Sequence, residues 1–390
     1  MNNDSAFTPF PLSDAALDEL AESVAGPATI VGIGGSSRFS REISGLQDGL
    51  LRRLVLHHGF RALAVQDGAE AGAELDRYVS GGAGSAADAL AHAWRPQRTE
   101  ETAAALEWIR AFNRDHPNDP VRVFGVKPAQ AGRDDYDAVL AYAHAHASAL
   151  PEQLAALEAH LGAIRTAHDI DEHVRRARGT HPGRPFADHA RDALALVRSL
   201  PRTDGHDGVL ARMQLIVDFH EHSVAGRGDY GGEAAVWSGV IGDFQQRTGA
   251  RVVYWDGIAH TSAAETVLGM APERGARATV GSALRERFGA RYVSVAVGFH
   301  HGELGSVVVP EPGADLIDAR LGAREAPAHW IDLRAEDVRR RWDGPAKARV
   351  ISGVYDPDQD ATGYIGVASL AGAFDVLVHI RRVSPVRRLP

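Results

Sequence analysis

The side chains best suited to moving protons at neutral pH are gathered in three histidine clusters: His57-His58, DFHEHS at 218–223 and GFHHGEL at 298–304. Histidine is the residue whose ordinary pKa lies near neutrality. His220 and His222 are two apart, which on a helix is about 200° of rotation. They cannot share a metal there, whereas the metalloprotease helix sets its histidines at i and i+4. In an extended segment they would share a face, but the surrounding pattern is helical. Asp218 and His222 do have the i, i+4 spacing and form a candidate acid and base pair. A metal would otherwise need separate clusters to converge in space.

The second chemical candidate is ATIVGIGGSSRFSREI at 28–43, where an apolar run breaks into Gly34-Gly35-Ser36-Ser37 and resumes as a helix. The spacing is not GxGxxG, and GxxxxGK[ST] occurs nowhere, so neither phosphate cradle is present. Ser36 and Ser37 stand where a strand hands over to a helix, yet the GxSxG elbow is absent. The bland alternative is Ser37 as a helix N-cap.

These residues need a scaffold, and the apolar runs supply one. TIVGIG (29–34), RALAVQ (61–66), VRVFGV (121–126), RVVYW (251–255), RYVSVAVGF (291–299) and DVLVHI (375–380) alternate with helical patterns. Five to eight such strands predict an α/β fold with a mostly parallel sheet flanked by helices. A helix is expected over 41–58, with Ile43, Leu46, Leu50, Leu54 and Val55 on one face and a stop at Gly59. From 136 to 222 the chain is Ala- and Leu-rich without strand-like runs, and Pro151 opens a helix. The expected organisation is an α/β core of 1–135 and 223–390 with an inserted helical subdomain at 136–222. SGGAGSAAD (80–88) reads as a mobile loop, and RRVSPVRRLP at the end as a solvated edge strand and tail.

Bulk composition bounds the function. Of 390 residues 44% are hydrophobic and 24% charged, and the net charge is −9. Cysteine is absent, which removes thiolate nucleophiles, disulfides and Cys metal sites. Lys127 and Lys347 are the only lysines. An acidic chain without a basic stripe is a poor nucleic-acid binder, and no apolar run of about 18 residues is found. With no basic, apolar leader at its start, the chain is expected to be cytoplasmic, with no membrane partner. The excess of Ala, Arg, Gly and Asp over Lys resembles the codon bias of a high-GC bacterium.

Several segments in order resemble the erythromycin esterase-like family, which includes macrolide-inactivating esterases. They are IVGIGGSSRFSREI, HHGFRALAVQDG, ALEWIRAFNRDHPNDPVRVFGV, GDYGGEAAVW, RVVYWDGIAH, VGSALRERFGARYVSVAVGF and FDVLVHIRRVSPVRRL, with RARGTHPGRPFADHARDALA less clear. The resemblance implies an α/β core, a helical insertion, a deep cleft, and metal-independent ester hydrolysis by water that His and Glu side chains activate. The family pattern Gly-Glu-x-x-His after the first strand aligns with Gly34-Gly35-Ser36-Ser37-Arg38. The acidic residue is thus Gly35 and the general-base histidine is Arg38. A family arginine aligns with Gln47, a glutamate with Gln66 beside Asp67, and an aspartate with Lys127. The His-Asn-x-His stretch aligns with Gly257-Ile258-Ala259-His260, and an Arg-Asp…Glu-Asn segment with Gly228-Asp229…Glu233-Ala234.

A guanidinium has a pKa near ~13 and cannot take a proton from water at neutral pH. The expectation is therefore a recast site that acts on a small bacterial metabolite or natural-product intermediate without hydrolysis, by cyclisation, elimination or isomerisation, with no cofactor and no metal. His260 is the expected acid/base and Arg38 the oxyanion or carboxylate contact. Asp67 and Asp256 would orient His260 or act as base. Gln66, Gln47, Ser36, Ser37, Lys127, His220 and His222 are the candidate substrate contacts. The alternatives are a hydrolase with a rearranged site, and a non-catalytic ligand-binding or resistance protein. The bland roles are helix N-cap for Asp256, turn residue for Asp67 and surface ion pair for Arg38.

Overall fold

A computed structural model describes residues 11–26, 28–127, 131–146, 150–168, 172, 175, 181–222, 230–305, 307–351 and 355–389. The chain forms two compact units, Met1–Pro128 with Ala234–Pro390, and Ala129–Glu233.

In the first unit the apolar runs become strands: β1 (Ile30–Gly35), β2 (Phe60–Gly68), β3 (Arg122–Lys127), β4 (Arg251–Gly257), β5 (Val267–Leu268), β6 (Tyr292–Leu304), β7 (Val307–Val309), β8 (Ala328–Asp332), β9 (Ala346–Arg349), β10 (Tyr364–Val367) and β11 (Val376–Val383). The main sheet runs β3-β2-β4-β1-β6-β11-β8, with β7 on β6. β1, β2, β3, β4, β6 and β11 pair in parallel, and β8 and β7 are antiparallel. Every residue of β1 is buried, as expected of a parallel strand covered on both faces. A second, antiparallel sheet has the order β5-β10-β9.

The helix Arg41–His58 occupies the expected range and ends at left-handed Gly59 (φ 67°). It buries Ile43, Leu46, Leu50, Leu54 and Val55 against the sheet's largest apolar cluster. Its N-cap is Ser40, whose hydroxyl accepts from Ile43 N at 3.2 Å. Ser37 is not the cap. Its Oγ accepts from Phe39 N at 3.1 Å, so it braces the loop three residues earlier.

Two further expectations are corrected. Residues 80–85 form turns, and 86–90 form a helix with a Ser85–Asp88 capping box. Arg110 Nη1 donates to both Tyr78 O and Gly82 O at 2.7 Å, which ties this stretch down. β11 is not an edge strand, because β8 covers its outer side. Beyond it Ser384 donates through its backbone N, at 2.7 Å, and its hydroxyl to Glu42.

The second unit holds the helices Arg133–His146, Pro151–Arg165, Phe186–Ser199 and His206–His222. They pack around their own core, which includes Tyr136, Val139, Leu157, Leu161, Ala190, Val197, Met213 and Ile216. Pro151 stands in the first turn of its helix, where its missing N–H has no intrahelical acceptor to lose.

Candidate functional site

The first four strands of the parallel sheet end side by side, and each end carries a candidate. β1 runs into Ser36-Ser37-Arg38, β2 ends in Gln66-Asp67-Gly68, β3 in Lys127, and β4 in Asp256-Gly257 followed by the short helix Ile258–Thr261 with His260. Gly34 lies opposite Asp256 in the β1/β4 register. In open α/β sheets this carboxyl edge, where the strand order reverses, is where ligands bind. Here β4 lies between β1 and β2, and β6 lies on the other side of β1.

Two glycines make the packing possible. A Cβ on Gly34 would lie 1.9 Å from Thr261 Oγ1 and 2.8 Å from Ile258 Cα, so the His260 helix can settle on β1 only because residue 34 has no side chain. A Cβ on Gly257 would lie 2.7 Å from the Arg38 guanidinium.

Arg38 Nη2 donates to Asp256 Oδ1 at 2.8 Å. The Asp256 side chain is fully buried and that of Arg38 is 15% exposed, so this is not a surface ion pair. Gly257 N donates to the same oxygen at 2.6 Å, and the Tyr254 hydroxyl donates to Oδ2. Burial, and then the negative charge of Asp256, push the Tyr254 hydroxyl well above its ordinary pKa, so it remains a donor. Asp256 is held by three donors and is not the N-cap of the following helix, a position taken by Gly257.

Asp67 is also engaged. Oδ1 accepts from Gly68 N and Oδ2 from Trp94 N, each at 2.8 Å. Burial raises its pKa despite these bonds and the nearby Lys127. It therefore positions Trp94 rather than standing free as a base. The Trp94 ring lies beneath the Arg38 guanidinium at 5.1 Å and Lys127 Nζ at 4.1 Å. Lys127 Nζ is also 5.5 Å from the Trp237 ring, so this buried lysine lies near two indoles, whose ring faces attract a cation.

His260 stacks on Trp237, with ring centroids 5.1 Å apart and 26° between planes. The Gln66 side-chain nitrogen approaches His260 Nε2 at 3.5 Å. An amide nitrogen only donates, so this contact goes with the tautomer protonated on Nδ1. Burial is the main cause that holds the His260 pKa down to about 4, reinforced by Arg38 and Lys127 and opposed by Asp256. The ring is thus neutral at pH 7.

The remaining candidates are placed differently. Gln47 Nε2 donates to Ile33 O at 3.1 Å. With Ser37, Arg38, Glu101, Trp255 and Asp256 it lines a cavity of about 40 Å³, room for a few waters. Ser36 is stitched in by its backbone, N to Val297 O at 2.9 Å and O from Ile351 N at 2.7 Å. Among the described residues its buried Oγ has no hydrogen-bond partner, and so no base there to activate it. His220 is fully buried in the helical unit, 2.9 Å from the Tyr136 hydroxyl and 5.7 Å from the Phe186 ring. Asp218 accepts from Gln214 on the exposed side of that helix. The side chain of His222 and residues 228–229 lie outside the described residues, and Glu233 is buried.

Sequence reasoning missed Tyr254, Trp94 and Trp237. Tyr254 was within reach, since residues two apart on a strand share a face and Asp256 was already a candidate. Trp237 lies in the quoted GGEAAVW stretch, but nothing local pairs it with His260. Trp94 comes from a loop that no pattern ties to the strand ends.

The profile of the erythromycin esterase family matches residues 55–383. The chain belongs to the erythromycin esterase family. The match begins beyond the loop that carries Gly35 and Arg38. Among solved structures, the chain is similar to a Bacillus cereus protein at 21% identity, covering 98% of this chain and 95% of that one with a TM-score of 0.65. It is similar to a succinoglycan biosynthesis protein at 19% identity, covering 97% and 94%, with a TM-score of 0.63. A histidine-to-asparagine mutant of erythromycin esterase EreC in its open conformation matches at 16% identity, covering 94% of each chain, with a TM-score of 0.58. At these identities the likeness shows the fold: a mixed α/β chain with a mostly parallel central sheet flanked by helices, as in the erythromycin esterases. No curated protein sequence matches.

Proposed function

We propose that this family member is an enzyme that rearranges a small anionic metabolite, a bacterial natural-product intermediate being the expected class, without activating water. The observation that carries this reading is the Arg38–Asp256 pair at 2.8 Å. It fills the strand ends where a water-activating base would have to be free, and neither partner supplies one. Arg38 stays protonated, and Asp256 is engaged by Arg38, Gly257 N and the Tyr254 hydroxyl.

His260 is the remaining proton carrier. Lys127 and Arg38 supply positive charge, and Trp94 and Trp237 supply flat apolar walls, which suits an anion with a planar portion. Such an anion would offset the two cations that depress His260 and so raise its proton affinity when bound, which suits cyclisation, elimination or isomerisation. Excluding water protects those reactions from hydrolysis.

Because His260 is unprotonated at pH 7, one second reading has support: slow, metal-independent hydrolysis of an ester or lactone with His260 as base. Incubating the protein with a fractionated bacterial metabolite extract and following masses separates the readings. A substrate converted to an isomer or to a product 18 Da lighter, unchanged with His260→Ala, supports the proposal. A product 18 Da heavier that needs His260 supports hydrolysis. A ligand retained and released unaltered identifies a binding protein instead.

A further inference from the structure

β6 outruns its parallel neighbour β1, whose last partner on it is Val297 opposite Gly35. The overhang carries His300 and His301, and β7 then turns back antiparallel along it. Successive side chains of a flat strand point to opposite faces, yet the Nδ1 atoms of His300 and His301 are 2.9 Å apart. Glu311, in the segment after β7, brings a carboxylate oxygen to the pair, and the three ligand atoms lie within 4.8 Å of one another. We infer that His300, His301 and Glu311 form a binding site for one divalent first-row transition ion of the Zn²⁺, Co²⁺ or Ni²⁺ type.

The donor set selects the ion. Two imidazole nitrogens and one carboxylate suit these metals, whereas Mg²⁺ and Ca²⁺ prefer oxygen throughout. The spacing of the two histidine nitrogens also fits. With metal–nitrogen bonds of ~2.0–2.1 Å, two nitrogens stand about 2.9 Å apart at a right angle and about 3.4 Å apart at the tetrahedral angle. Three protein ligands leave at least one position for water.

The site is built around His300, which is 9% exposed. A Cβ on Gly322 would come 1.9 Å from its Cδ2, so the glycine makes the seat for this ring. Its carbonyl accepts from the buried Arg349 guanidinium at 2.7 Å, which fixes the strand beneath it. Of the cations nearby, Arg349 is itself paired with Asp360 at 3.1 Å. In the apo protein one Nδ1 must carry the proton that the other accepts, and a metal ion would take that proton's place.

The test uses the untagged full chain, incubated with CoCl₂, NiCl₂ or ZnCl₂ alone, dialysed, and assayed for bound metal, for visible Co²⁺ absorption and for melting temperature. The expected result is one equivalent bound, a raised melting temperature, and affinity lowered at least about tenfold in both His301→Ala and Glu311→Gln. Both side chains are at least partly exposed, so the variants should fold, and their metal-free melting temperatures check this. His57→Ala, at an exposed histidine outside the site, should change nothing. No retained ion, or binding in His301→Ala and Glu311→Gln equal to that of the parent chain, overturns the inference.

Discussion

Arg38 stands where the family resemblance expects a histidine. Its charge is committed to a carboxylate that has lost all contact with water. Removing one partner of such a pair leaves the other charge buried, at a cost usually of 3–5 kcal/mol. Arg38 keeps some solvent contact, so Arg38→Ala is expected to lower stability by about 3 kcal/mol, measured by urea denaturation. A loss under about 1 kcal/mol would mean that the pair behaves as a surface contact. At this scale the sequence was legible in part. The resemblance named Arg38, Gln66, Lys127 and His260, Asp256 was the candidate beside them, and the fold brings all five to one edge. It could not reveal that Asp67 and Asp256 are already hydrogen-bonded, because Trp94 N and the Tyr254 hydroxyl reach them through tertiary packing.

At the scale of elements, β1 and the Ile258–Thr261 helix are fitted to one another through Gly34. A Gly34→Ala change drives a methyl into Thr261 Oγ1 and the Ile258 backbone, and overpacking of this kind typically costs about 1–3 kcal/mol. The double change with Thr261→Ala should recover only part of that loss, since the clash with Ile258 Cα remains; full recovery in thermal melts would contradict the packing described. The N-cap gives a second check: Ser40→Ala should cost about 1 kcal/mol, and Ser37→Ala should leave the helix Arg41–His58 intact by circular dichroism. The long buried strands and this helix were legible because their apolar periodicity extends over many residues. The short strands β5, β7, β8, β9 and β10 were not. With two to five residues each they carry too little pattern, and the unread β8 is why β11 was taken for an edge.

For the whole molecule, buried titratable groups set the response to acid. Burial holds His260 at about 4 and His379 at about 3, both below the ordinary 6.5. Between those values the unfolded chain binds protons that the folded chain refuses, so this stability is complete above about pH 6.5 and falls as the pH drops. Asp318, raised by burial to about 6 from 3.8, has the opposite sign and gains stability toward acid over that interval. His58, His189, His300 and His329 are lowered in the same direction and Asp48 and Asp67 are raised like Asp318, so six histidines against three carboxylates predict a net loss from pH 7 to pH 5, on the order of 1.4 kcal/mol per pH unit for each uncompensated proton. Urea denaturation at the two pH values should show it, and His260→Gln should flatten the dependence. The most direct test of the central claim follows the fate of water. The protein is incubated with a panel of macrolides and simple lactones in ¹⁸O-labelled water, and the products are read by mass spectrometry. The expected result is that no label enters any product. A labelled, ring-opened product formed by the parent chain and absent with His260→Ala would contradict it.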